Sequence, residues 1–248
     1  MNDIACQIVD WLSKYKGFVV GISGGVDSAL VSTLCAKTGL PTVVVSLPIH
    51  QPKSHLERAN EHIKWLKEKF PNVTSFEVDL TETFETFKKS IPLCAVSDLS
   101  LVNARSRLRM TTLYNFANSF GHVVAGTGNK VEDYGVAFFT KYGDGGVDIS
   151  PIGDLTKTEV WNLARHLGVC ESIVNAKPTD GLWNDDRSDE DQIGATYPEL
   201  EWAMDFYENF DKTKVLTERQ QIVYNIYKTR HEQGLHKMCM PPVCKINH

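Results

Sequence analysis

Apolar residues gather in short runs along the first half of the chain, and stretches of helical period separate them. Ile4, Ile8, Trp11 and Leu12 recur at three- and four-residue spacing, which predicts an opening helix. Phe18-Val19-Val20-Gly21-Ile22 is an unbroken apolar run and predicts a strand with no solvated face. Residues 29–36 read as a buried helix closed by Gly39, and Pro41 leads into a second apolar strand over 42–47. A charged helix over 54–70 stops at Pro71, residues 73–78 give a third strand, 103–120 a helix and 122–126 a fourth strand. Strands without polar alternation, separated by helices, predict a parallel sheet covered on both faces.

Beyond residue 126 the pattern changes. Residues 126–153 contain seven glycines and no long periodic element, as expected of functional loops. Helical period resumes over 156–167, 197–207 and 217–231. With no repeat, low-complexity tract or linker, residues 1–248 read as a single domain. An α/β core covers about 1–170 and a helical C-terminal extension about 171–248.

Composition narrows the classes. A chain of 248 residues buries roughly three quarters of its unfolded surface, so it needs no metal or disulfide staple. No run of about 18 apolar residues occurs, which argues against a membrane span. The acid-bearing, helical N-terminus fits neither a secretory signal nor a transit peptide. With 26 basic and 31 acidic side chains the net charge is −5, a poor footprint for nucleic acid. Six scattered cysteines without a C-x-x-C pair suggest reduced thiols and a cytoplasmic protein.

The most informative stretch is Gly21-Ile22-Ser23-Gly24-Gly25-Val26-Asp27-Ser28, which follows a strand and opens a helix. Phosphate oxygens need close backbone donors, and those are reachable only where side chains are absent. Gly24 and Gly25 meet that need, Ser23 and Ser28 add hydroxyls, and the helix start adds its positive dipole end. Asp27 would repel phosphate on its own and makes sense as a Mg2+ ligand, the ion bridging it to the phosphates. The stretch matches neither the Walker A loop nor the dinucleotide fingerprint. As plain structure it is a glycine turn capped by Asp27 or Ser28.

The SGGVDS turn resembles the signature of the N-type ATP pyrophosphatases, which cleave ATP between the α- and β-phosphates. Further along, the segments GTGNKVEDY (126–134), FFTKYGDGGVD (138–148), PIGDLTK (151–157), NARSRLRM (103–110) and KPTDGLW (177–183) follow in the order found in NAD synthetases. The chain is identified as a member of that family. The resemblance implies a three-layer α/β sandwich with a central parallel sheet, adenine nucleotide α-hydrolase-like and Rossmann-like. It also implies a homodimer and the ATP-dependent amidation of deamido-NAD. The absence of a long extension before the first strand suggests the form that uses ammonia directly.

By the same resemblance, residues 21–28 together with Thr127, Lys157 and Thr179 bind ATP. Arg107, Lys141, Asp148, His236 and Lys237 bind deamido-NAD, and Asp27 and Glu132 hold Mg2+. Asp144 is the candidate for binding ammonium or taking its proton, since ammonium must lose a proton before it attacks. Each role has a plainer rival. Glu132 stands where helix starts favour acids, Asp144 precedes two turn-forming glycines, and Arg105, Arg107 and Arg109 cannot share one helix face. Lys157 follows Thr156 at a helix start, a poor place for a cation unless phosphate lies opposite. The C-terminal pattern also departs from the family, with His236-Lys237-Met238 where His-Lys-Arg is usual. A tRNA thiolase and a non-catalytic ATP sensor are the rivals. The first needs a reactive cysteine and usually a basic surface, against which stand the missing C-x-x-C motif and the negative charge. The second has no use for Glu132, Lys157 and the FTKYGDGG loop together.

Overall fold

The computed structural model describes residues 1–179, 188–209, 213 and 215–246. Four parallel strands, β1 (Phe18–Gly21), β2 (Thr42–Ser46), β3 (Val73–Glu77) and β4 (Val123–Val124), lie in the order β3-β2-β1-β4. Phe18 registers with Thr42 on one side and Val123 on the other, and an Ala125–Ile149 bridge prolongs the β4 edge. The chain therefore winds outward from β1 to β3, then returns to pair β4 against the free side of β1. The gap at the carboxyl ends of β1 and β4 is a topological switch point, where open α/β sheets bind ligands.

Helices cover both faces. Alternation along the strands sends Phe18, Val20, Ile22 and Val44 into a core with α1 (Asn2–Leu12), α2 (Val26–Lys37), α3 (Lys53–Lys69) and α6 (Lys157–Leu167). Val19, Val43 and Val45 point the other way, against α4 (Thr81–Ser90) and α5 (Asp98–Phe120). The expected three-layer sandwich is the observed one. Its third strand is half right: β3 is at the sheet edge, only Val73 of it is buried, and Phe76 is solvent-facing. An edge strand lacks the second neighbour that would cover it.

The C-terminal helices α7 (Glu171–Val174), α8 (Asp189–Ile193), α9 (Tyr197–Glu208) and α10 (Glu218–Met238) follow α6. The last three build a third apolar cluster in which Tyr197, Leu200, Met204 and Tyr227 enclose Val131 and Val136. Val131 lies within, and Val136 directly follows, a wide helical turn, Lys130–Gly135, closed by a Val136 N–H to Val131 carbonyl bond of 2.8 Å, in the stretch expected to be loop. Such five-residue turns concentrate at functional sites. Helices also outrun their expected bounds: α2 begins at Val26 rather than 29, and α5 and α10 depart further. A reciprocal Ser97–Ser100 cap starts α5 five residues before 103, and α10 runs to Met238 rather than 231. Among the described residues no helix is long and apolar enough to cross a membrane.

Candidate active site

One cavity of 640 Å³ opens at the switch point, lined by residues 21–28, the end of β2, Thr127, Glu132, Asp144, Lys157, Thr179 and Lys237. Its floor is the bend between β1 and α2. Gly24 has φ +84°, and a Cβ on it would lie 2.4 Å from the His55 carbonyl oxygen, so only glycine lets α3 press against the bend. Ser28 Oγ accepts from the Ser23 N–H at 3.2 Å and donates to the Gly25 carbonyl at 3.0 Å, while Ser23 Oγ accepts from the Gly25 N–H at 3.2 Å. The two hydroxyls thus brace the bend from within.

Asp27, in the first turn of α2, meets residues more than a hundred positions away. Asn129, fully buried, donates to Asp27 Oδ1 at 3.0 Å and accepts from the N–H groups of Val131 and Glu132 at 3.1 Å. It caps the wide turn and orients Asp27 together. Lys157 Nζ then bridges Asp27 Oδ2 at 2.6 Å and Glu132 Oε1 at 2.9 Å, and the Tyr197 hydroxyl donates to Glu132 Oε1 as well. The Lys157 side chain is 3% exposed, against 17% and 16% for the two acids. What lies opposite the helix-start cation is thus a pair of carboxylates, where the sequence predicts phosphate.

Electrostatics follow from this sharing. Burial works against the Lys157 charge, but Asp27 and Glu132 overcome it and hold the ammonium firmly protonated. Burial pushes the Asp27 carboxyl upward despite Lys157. Glu132 meets the same burial, yet Lys157 and the Tyr197 hydroxyl bring it below the ordinary range. Two acids share one cation, and the one with the additional hydroxyl keeps its charge more easily.

Asp144 lies deep among protein atoms while its carboxylate surface opens onto the cavity. Its Oδ1 accepts from the Ser106 hydroxyl at 2.6 Å and the Thr140 N–H at 3.1 Å, and burial raises its proton affinity. Gly143 leaves room for this arrangement, since a Cβ there would lie 2.2 Å from Ser106 Oγ.

The nucleotide-acid candidates separate. Lys237 lines the cavity; Arg107, Lys141, Asp148 and His236 do not. Arg107 is exposed and donates to the Lys141 carbonyl at 3.1 Å. Asp148 accepts from the Tyr114 hydroxyl at 3.0 Å and the Val124 N–H at 2.8 Å. Lys237 donates to the carbonyls of Ala137 and Phe139 at 2.8 and 2.7 Å, and Lys141 donates to the His236 carbonyl. The end of α10 and the FTKYGDGG loop are therefore bound to each other. Thr179 is at the cavity rim; Trp183 and residues 180–187 lie outside the described residues.

Several lining residues escaped the sequence reading. Arg109 donates to the Leu47 carbonyl and Gln51 Oε1 at 2.9 Å each, and burial beside Arg105 brings it down to about 10. Asp133 packs against the Cα of Gly128, and burial with three acidic neighbours raises it well above the usual range. Arg58 of α3 reaches the cradle. Only the R-x-R alternation hinted at Arg109; a lone arginine inside a charged helix gave no signal for Arg58.

The family model described as NAD synthase matches residues 4–241. The chain belongs to the NAD synthase family. Members of that family are ligases, and they take ATP as co-substrate. An NH3-dependent NAD+ synthetase of Methanosarcina mazei is 38% identical over 239 residues, covering 92% of this chain and 90% of the relative. Among solved structures, an NMN synthetase from Francisella tularensis superposes with a TM-score of 0.86 at 31% identity, over 99% of this chain and 98% of that one. The NH3-dependent NAD synthetase from Campylobacter jejuni gives 0.80 at 25% identity, over 98% and 99%. This NAD synthase family chain thus has the Rossmann-like, adenine nucleotide α-hydrolase sheet expected of it.

Proposed function

We propose that the protein amidates deamido-NAD to NAD with ammonia, through an adenylated nicotinate carboxylate, and releases AMP and pyrophosphate. The observation that carries this reading is one cavity holding a glycine cradle, the Asp27–Lys157–Glu132 group and the open carboxylate of Asp144. A carboxylate is a poor acyl donor until its oxygen becomes a leaving group. Residues 21–28, Thr127 and Thr179 bind ATP so that the nicotinate carboxylate attacks the α-phosphorus in line and pyrophosphate leaves. Lys157 stabilises charge gathering on the phosphates. Asp144 draws in ammonium and accepts its proton; the freed ammonia attacks the acyl carbonyl, and AMP departs. Arg107, Lys141, Asp148, His236 and Lys237 serve the nucleotide acid, Lys141 and Lys237 by holding the loop that carries Asp144.

Two facing carboxylates suit a hard divalent cation, which takes one or two acids together with substrate phosphates. Asp27 and Glu132 would hold Mg2+, which when bound neutralises charge on the phosphates. Among the described residues no third His, Cys, Asp or Glu joins them in such a group, so phosphate and water would complete the shell. A homodimer, a cytoplasmic location and a single domain over 1–248 complete the proposal.

A second acceptor is favoured by the likeness to the Francisella NMN synthetase: the mononucleotide acid corresponding to NMN. Both reactions amidate the same pyridine carboxylate. Purified protein with ATP, Mg2+ and ammonium, given either acid, is expected to form AMP in step with the amide. The preferred acid is the one with the higher kcat/KM. ADP in place of AMP would overturn the adenylate reading, and sedimentation tests the dimer.

A further inference from the structure

We infer that Arg58 is a clamp on the pyrophosphate half of ATP, a role resting on the proposed binding of ATP in the cradle. Arg58 stands in the second turn of α3, the helix pressed against Gly24. Its Nε donates to the Gly24 carbonyl at 3.1 Å, and among the described residues its other guanidinium N–H groups have no hydrogen-bond or carboxylate partner. The side chain is half-buried and lines the same cavity as the cradle.

Among the described residues, four other cations on the cavity wall are engaged elsewhere, Arg230 with the Gln192 carbonyl at 2.8 Å among them, while Lys177 is an exposed ammonium without the planar fork. Lys157 is shared between two acids, Lys237 is spent on two loop carbonyls, and Arg109 donates to Leu47 and Gln51. Arg58 is hydrogen-bonded to the cradle itself and keeps most of its donor fork open. Planar guanidinium forks suit phosphate oxygens, and such charge-assisted bonds are among the strongest a protein makes.

Position assigns the phosphates. Asp27 marks the end of the bend that faces Asn129, Lys157 and, across the cavity, Asp144; Gly24 marks the end that faces α3. The reacting α-phosphorus belongs beside the first group, so the β- and γ-phosphates extend toward Arg58. When the α–β bridging bond breaks, both electrons go to the leaving pyrophosphate, whose added negative charge the guanidinium then faces.

Equilibrium binding of pyrophosphate, ATP and AMP to wild type, Arg58→Gln and Arg58→Lys tests the assignment. Arg58→Gln is expected to weaken pyrophosphate and ATP by about 10- to 100-fold, with AMP binding and the KM for the nucleotide acid unchanged. Arg58→Lys, which keeps the charge but loses the fork, is expected to fall between. Unchanged pyrophosphate affinity in both variants, or AMP weakened as much as ATP, overturns the clamp. If Arg58→Gln does not fold, Arg58→Lys alone decides by the same comparison. Ser23→Ala separates the two readings. If it weakens pyrophosphate where the Arg58 variants do not, only the clamp fails; if wild type binds neither ATP nor pyrophosphate, the cradle reading fails and the clamp with it.

Discussion

Lys157 brings one positive charge to two largely buried carboxylates, leaving the group with a net negative charge before any substrate arrives. Removing the cation strands both acids in a desolvated pocket, and a broken buried pair costs several kcal/mol. Lys157→Ala is therefore expected to lose about 3 kcal/mol in urea unfolding at neutral pH, as well as its turnover. Asp144 differs, because its Oδ1 accepts bonds that an asparagine oxygen can also accept while Asn cannot take up a proton. Asp144→Asn is expected to fold normally and keep its pyrophosphate burst with the nucleotide acid. Its ammonium-dependent amide formation should fall by about 100-fold or more. Equal loss of both steps would assign Asp144 to adenylation instead.

Between elements, α2 and α3 meet through a histidine buried among apolar groups. His62 has no exposed surface, its Nε2 is 2.9 Å from Ser32 Oγ, and its ring stacks on Trp65. Burial depresses it to about 4. The unfolded chain then binds the proton more readily than the folded one between about pH 6.5 and 4, so this contribution is complete above 6.5 and is lost on acidification. His62→Phe, which preserves the stack, is expected to be less acid-sensitive than wild type by about 2 kcal/mol between pH 7 and 5, measured by urea midpoints. The opposite packing contact is at Gly234 of α10, where a Cβ would fall 2.1 Å from that of Ala137. Gly234→Val is expected to push α10 off the FTKYGDGG loop and raise the KM for the nucleotide acid while the KM for ATP holds, checked by steady-state kinetics.

At the scale of the molecule, fold and cradle were legible because both are local in sequence. Apolar runs gave β1 and β2, and residues 23–28 carry their chemistry within six positions. What stayed hidden was long-range. Nothing near Asn129 announces Asp27, and nothing near Tyr197 announces Glu132, because the sheet's return path and the third core bring them together. Likewise Asp148 and Arg107 sit in motif positions, yet the fold turns them to Tyr114 and Lys141. Since Lys157 satisfies the acids that would hold Mg2+, chelation is expected to stop turnover without lowering the melting temperature; a drop would show that the fold leans on the ion. The third core has one more consequence. Tyr197 and its helical neighbours form the back wall against which the Glu132 turn is moulded. Shortening or redecorating the last fifty residues therefore remoulds the turn that carries Glu132, whereas the bend over 21–28 and the sheet beneath it belong to the other two cores.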